Sequence, residues 1–126
     1  MKVLVFDTET TGLPVERNPS IYDTQKWPHI IQLSYIVYDS ETNEIITVED
    51  DYINIDANIN ITPESQKIHN ISREMLDSKG IPIQDALHKF IRFTDMSDLL
   101  VGHNVSFDKR MVIVEGVRNK IKMNIN

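Results

Sequence analysis

The sequence predicts an α/β domain: a three-stranded antiparallel meander, a further strand and flanking helices. Three observations lead there. Lys2 to Glu9 opens the chain as a strand-like apolar run. Two longer segments rich in Ile, Val and Tyr follow, separated only by a polar turn. After Pro82, apolar residues recur at helical spacing.

In Lys2 to Glu9, Leu4 and Phe6 fall on one face and Val3 and Val5 on the other, so both faces read as buried. His29 to Tyr38 is the second strand and Ile45 to Ile53 the third. The polar run Asp39 to Glu44 turns between them, and Pro14 to Pro28 is a long loop. Thr62-Pro63-Glu64 starts a helix: a capping hydroxyl, a proline in the first turn and an early acid. Ser72 caps a second short helix that ends near Gly80. Ile83, Leu87, Phe90, Ile91 and Phe93 form one buried helical stripe. Leu99 to Gly102 reads as a short buried strand. Val105 to about Asn119 is a last helix, with Met111, Val112 and Val114 facing the core.

A chain of 126 residues suits one domain with a modest core. No repeat, low-complexity tract or linker divides residues 1–126. The absence of cysteine excludes disulfides and thiolate metal sites. It fits a reducing compartment, so a cytoplasmic, unsecreted protein is expected. No apolar stretch approaches the roughly 20 residues that span a bilayer. The net charge of −6 argues against coating long duplex DNA. It still permits an enzyme that handles a short single-stranded end through bound cations, which bring their own charge. The cluster Glu49-Asp50-Asp51 reads as a solvated strand end.

Two acids stand at the end of the first strand, in Phe6-Asp7-Thr8-Glu9-Thr10-Thr11-Gly12-Leu13. Residues two apart on a strand project together, so Asp7 and Glu9 share a side. Paired carboxylates repel unless a cation sits between them, and hard oxygen ligands suit Mg²⁺ or Mn²⁺. Thr10-Thr11-Gly12 then breaks the strand and exposes backbone beside the acids. A third acid, Asp108, opens the last helix within Gly102-His103-Asn104-Val105-Ser106-Phe107-Asp108. Alone it would pass for an acid stabilising a helix start. With the first pair, it can bring three carboxylates from distant parts of the chain to one place.

At these residues the chain resembles the DEDD 3′–5′ exonucleases. That family includes the proofreading subunit of bacterial DNA polymerase III, oligoribonuclease and the three-prime repair exonucleases. The first motif resembles Phe6 to Leu13, and the second resembles Gly102 to Asp108. Trp27-Pro28-His29-Ile30-Ile31-Gln32-Leu33 looks like the family's second strand. Ile61-Thr62-Pro63 and Ile68-His69-Asn70-Ile71 look like its Ile-x-Pro and Ile-His-Gly-Ile segments, with Asn70 in place of glycine.

The resemblance implies a ribonuclease H-like fold and two-metal hydrolysis of a terminal phosphodiester, with two Mg²⁺ or Mn²⁺ ions in the complete site. Asp7, Glu9 and Asp108 would be the catalytic metal ligands. Thr8, Thr10 and Leu13 would meet the terminal nucleotide, with Leu13 wedged against its base. Ile68 and His69 would line the same pocket, and Asn104 and Phe107 would shape its floor. Partners would be a single-stranded 3′ end and either a DNA polymerase or a completing second polypeptide, with no membrane. The family contains both dimers and subunits, so an oligomer is compatible with the resemblance.

One departure weakens the expected activity. The family's third motif, His-x-x-x-x-Asp, brings a general base and a fourth acid, and the 18 positions after Asp108 hold neither His nor Asp. The domain is therefore expected to be C-terminally incomplete and weak or inactive alone, leaving the helix from Val105 with an exposed apolar face. The competing reading is a non-catalytic module that binds a nucleic-acid 3′ end or a protein. Of the four histidines, His69 is placed in the pocket as a contact. His29 is expected to face the loop, His88 to be exposed, and His103 to be structural at a strand end.

Overall fold

The computed structural model describes residues 1–125. Its centre is a four-stranded sheet. The strands are β1 (Lys2–Thr10), β2 (Ile30–Asp39), β3 (Glu44–Tyr52) and β4 (Leu99–Gly102), ordered β3-β2-β1-β4. The first three pair antiparallel, and β4 joins β1 in parallel. The helices are α1 (Pro63–His69), α2 (Arg73–Lys79), α3 (Ile83–Asp95) and α4 (Val105–Asn119). A short 3-10 turn, Thr24–Lys26, interrupts the long loop. No helix among the described residues is long and apolar enough to cross a membrane.

The helix starts follow the sequence signals. Thr62 Oγ1 accepts from the Ser65 amide at 3.2 Å, and Ser72 Oγ accepts from the Met75 amide at 3.2 Å. Each satisfies one of the donors a helix start leaves open. α3 and α4 lie on one face of the sheet. Leu4, Phe6, Leu33, Tyr35 and Val37 meet Ala86, Leu87 and Phe90 of α3 and Met111, Val112 and Val114 of α4. The Phe90 ring centre lies 5.3 Å from Phe6 and 5.0 Å from Tyr35. Burying one such ring contributes roughly 1.5–3 kcal/mol.

The β1–β2 register shifts between Glu9 and Thr10. At this bulge the adjacent residues Ile30 and Ile31 are both buried, in different clusters. Ile31 joins Ile71 and Leu76 in a small second core beneath α2.

Four expectations need correction. β1 is not buried on both faces: Leu4 is 0% exposed and Val5 43%. Nor is β4 a buried strand, since Leu99 and Val101 are exposed. The cause is shared. Val48, Ile36, Val5 and Val101 line up across all four strands on a face that no helix among the described residues covers at that level. Most of the uncovered apolar surface therefore belongs to the sheet, whereas α4 buries Met111, Val112 and Val114 and leaves Val105 exposed. Finally, Glu49 and Asp51 are not merely solvated. Lys89 of α3 pairs with them at 3.0 and 2.8 Å, tying helix to sheet, and only Asp50 of that trio is exposed.

Candidate active site

β1 delivers Asp7 and Glu9 at its C-terminal end, and α4 delivers Asp108 in its first turn. Strand alternation sorts the neighbours. Thr8 and Thr10 share the buried face with Leu4 and Phe6, while Asp7 and Glu9 share the face of Val5. Because α4 packs on the buried face, Thr8 is the residue that meets Asp108. Its hydroxyl donates to Asp108 Oδ1 at 2.8 Å. The Asn104 amide donates to Asp108 Oδ2 at 3.4 Å. Asp108 is only 2% exposed.

The acids sense one another. Burial pushes the Glu9 carboxyl above its ordinary value, and the charges of Asp7 and Asp108 push it the same way. Burial also raises Asp108, with Asp7 adding to the rise and the Thr8 hydroxyl opposing it. Yet no three His, Asp or Glu side chains among the described residues stand close enough together to hold one metal ion. The structure thus makes the three acids one electrostatic group without closing them into a coordination shell. Their chemistry still fits a hard divalent cation. Every donor is a carboxylate oxygen, and the mutual repulsion is what a cation would relieve.

Beside the acids lies a cleft of about 140 Å³, lined by Thr8, Glu9, Thr10, Gly12, Leu13, Ser65, Ile68, His69 and Phe107. Leu13 and Ile68 stand at its mouth, 82% and 80% exposed. His69 Nδ1 accepts from the Ile71 amide at 2.9 Å, so the ring proton sits on Nε2. That Nε2 is buried and has no hydrogen-bond partner of normal geometry among the described residues. Burial holds the His69 pKa below its ordinary value, with a Thr10 backbone group opposing. Gly12 packs closely on the start of α1: a Cβ there would lie 3.0 Å from Thr62 Cγ2.

Of the residues singled out by sequence, Asn104 alone lies outside both the acid group and the cleft lining; it caps α4 and reaches Asp108 through its backbone. His88 and His103 are exposed. His29 does not simply face the loop. It is half-buried, with Nδ1 3.3 Å from Arg118 Nη1, and burial and the Arg118 charge lower its pKa to about 4. Sequence reasoning missed Ser65, whose position one turn into α1 was the available signal. It also missed Glu115 and Arg118, which carry no local motif.

Comparison with known proteins places this geometry. Residues 4–126 match the exonuclease family that takes its name from RNase T. The DNA polymerase III subunit epsilon of Rickettsia prowazekii (strain Madrid E) is 29% identical over 108 residues, 86% of this chain and 41% of the relative. The same subunit of Rickettsia typhi (strain ATCC VR-144 / Wilmington) is 30% identical over 108 residues, with the same coverage of 86% and 41%. The chain therefore spans less than half the length of these relatives. Among solved structures, E. coli Exonuclease I in complex with a dT13 oligonucleotide superposes with a TM-score of 0.74 at 18% identity, over 96% of this chain and 24% of that one. An apo Exonuclease I gives 0.75 at 21% identity, over 96% and 25%. The mixed sheet with flanking helices is thus the ribonuclease H-like fold of these exonucleases. With the family match running from the first strand to the last residue, the chain belongs to the RNase T exonuclease family, of the DEDD 3′–5′ type.

Proposed function

We propose that this chain is a metal-dependent 3′–5′ exonuclease domain that grips the 3′ end of a single-stranded nucleic acid. One observation carries the reading: Leu13 and Ile68 stand bare at the mouth of a largely apolar cleft that adjoins three mutually repelling acids. Large apolar side chains in such a place suit stacking against a base, which stabilises by roughly 1–3 kcal/mol per base.

Asp7, Glu9 and Asp108 would hold Mg²⁺ or Mn²⁺, two ions in a complete site. Bound ions of this kind activate water and stabilise the leaving 3′ oxygen. The protein's own part is positional. Thr8 fixes Asp108 from the buried side. Leu13, Ile68 and Phe107 wall the base. Thr8, Thr10 and His69 offer polar contacts to the sugar and phosphate. Asn104 acts on Asp108 through its amide rather than on the nucleotide.

Residues 109–126 hold no His or Asp to take the water's proton. A general base contributes roughly 10²–10⁴-fold, so the isolated chain is proposed to be weak or inactive. The relatives named as polymerase subunits and the neighbour holding dT13 support a single-stranded 3′ end as the substrate. They also support a DNA polymerase as a partner.

The test is an end-labelled single-stranded oligonucleotide with Mn²⁺. Expected is binding that depends on a free 3′ hydroxyl and on Asp7, with little turnover. Binding indifferent to the 3′ end sinks the proposal, and rapid Asp7-dependent turnover sinks its claim of weak activity. A second reading is a non-catalytic 3′-end or protein-binding module. Retained Mn²⁺ and end affinity with no cleavage, even when fragments bearing His-x-x-x-x-Asp are added, would select it.

A further inference from the structure

The two ends of α4 serve different neighbours. The first turn presents Asp108; the last turns present Glu115 and Arg118, which have no part in the chemistry proposed above. Glu115 is only 3% exposed. A carboxylate tolerates that when it is paired and hydrogen-bonded, and Glu115 is both. Its Oε1 accepts from Arg118 Nη1 at 3.1 Å and its Oε2 from the Ile30 amide at 2.9 Å. Arg118 spreads over the end of the long loop. Its Nη2 donates to the Thr24 and Trp27 carbonyls at 2.7 and 2.6 Å, and its Nη1 to the Pro28 carbonyl at 2.7 Å.

That segment holds the cleft wall. The Thr11 amide donates to the His29 carbonyl at 2.9 Å, and Thr11 Oγ1 accepts from the His29 amide at 3.0 Å. The Thr11 carbonyl accepts from the Thr62 amide at 2.8 Å, and the Thr10 hydroxyl donates to the Gly12 carbonyl at 2.8 Å. A run of hydrogen bonds thus leads from Arg118 through Pro28 and His29 to Thr11, between cleft-lining Thr10 and Gly12. The bulge at Glu9/Thr10 breaks the regular ladder here, so strand pairing alone does not fix this turn.

We propose that the Glu115–Arg118 pair is a positioning element for the 3′-end cleft, holding the Thr24–Ile30 segment so that Thr10 to Leu13 face the terminal nucleotide. The inference rests on the reading of the cleft given above. It gives α4 two tasks at once, fixing Asp108 at one end and the cleft wall at the other. The side chain has to be arginine. A planar fork can serve several carbonyls and a carboxylate together, and a lysine ammonium cannot reproduce that geometry. Bonds from a charged donor are roughly twice as strong as neutral ones.

Two variants of the full chain test it. Arg118→Lys keeps a charge beside Glu115 and loses the fork. Glu115→Gln keeps an acceptor for the Ile30 amide and loses the charge. The first readout, amide hydrogen exchange, needs no nucleic acid. Thr11 is expected to exchange about 10-fold faster in both variants, with β2 and β3 amides unchanged. The second is Mn²⁺-dependent binding of a single-stranded oligonucleotide ending in a 3′ hydroxyl or a 3′ phosphate. Arg118→Lys is expected to weaken the 3′-hydroxyl form about 10-fold, and Leu13→Ala to add nothing in the double variant, because both act on one wall. A merely structural arginine would give additive losses. Additive losses, or unchanged Thr11 exchange, overturn the proposal. If the wild-type chain ignores the 3′ end while Thr11 exchange still rises in the variants, the cleft reading fails and the positioning role with it, leaving the pair a structural clamp.

Discussion

The Thr8 hydroxyl donates to Asp108 Oδ1 at 2.8 Å, joining residues a hundred positions apart. Thr8 sits between the two acids of β1 but faces the other way, so the strand presents carboxylates on one side and the tether for the third on the other. Removing the hydroxyl leaves a buried carboxylate oxygen without its best partner, which costs about 1–3 kcal/mol. Thr8→Val is expected to lower the unfolding free energy measured in urea by that amount, with a lower midpoint, and Thr8→Ser to restore most of it. An unchanged midpoint in Thr8→Val would show that the bond contributes nothing.

Glu9 predicts how the acids respond to pH and cation. Its carboxyl is raised above 4.5 by burial, then by Asp7, then by Asp108. A raised acid favours the fold below its unfolded pKa, and that advantage is lost as pH rises through the folded value. In EDTA, the wild-type chain is therefore expected to lose stability relative to Glu9→Gln as pH climbs above 4.5. Mn²⁺ should reverse the order. At 100 times its Kd, a ligand stabilises by about 2.7 kcal/mol, and Glu9→Gln should gain less. Thermal melts of both proteins across pH, with and without Mn²⁺, decide the matter. A variant that never exceeds the wild type in EDTA removes the case for repulsion.

How much of this was legible in the chain varies with the range of the interaction. The caps at Thr62 and Ser72, the stripe from Ile83 and the acids of β1 are local patterns, and they lie where the spacing put them. Val5 and Val101 misled because alternation reports which residues share a face and is silent on whether another element covers it. Glu49 and Asp51 misled because their partner, Lys89, lies 38 or more positions away. Arg118 gave no signal for the same reason: its carbonyl partners at Thr24, Trp27 and Pro28 are 90 or more positions upstream. The cleft residues came from matching motifs, whereas the network beneath them follows only from the folded contacts.

His29 gives a second pH effect of opposite sign. Its pKa falls from 6.5 to about 4, chiefly through burial and then through Arg118, with Asp56 opposing. A histidine buried neutral must be charged in the unfolded chain first. Stability is then lost as pH falls from 6.5 towards about 4. His29→Gln, of similar reach and without a titrating ring, should flatten that limb of the curve while leaving the limb controlled by Glu9. Chemical denaturation of wild type and variant at pH 7 and pH 5 checks this. An equal loss in both proteins would place the acid sensitivity elsewhere.

Asn70 ends α1 in the left-handed region, at φ 56° and ψ 26°, with its amide donating to the Gln66 carbonyl at 2.7 Å. Most residues pay roughly 1–2 kcal/mol to adopt that conformation, and Asn is among the few that visit it readily. Asn70→Gly should therefore be close to neutral, since relief of strain is offset by the freer unfolded chain. Asn70→Val, with its branched Cβ, should cost at least the full 1–2 kcal/mol. The penalty should also reach the cleft. The chain turns at Asn70 so that the Ile71 amide can donate to His69 Nδ1, the bond that orients the ring and leaves its proton on Nε2. Binding of a 3′-hydroxyl oligonucleotide should consequently weaken in Asn70→Val and survive in Asn70→Gly. A valine variant that melts early but binds normally at low temperature would separate the helix cap from the histidine it precedes.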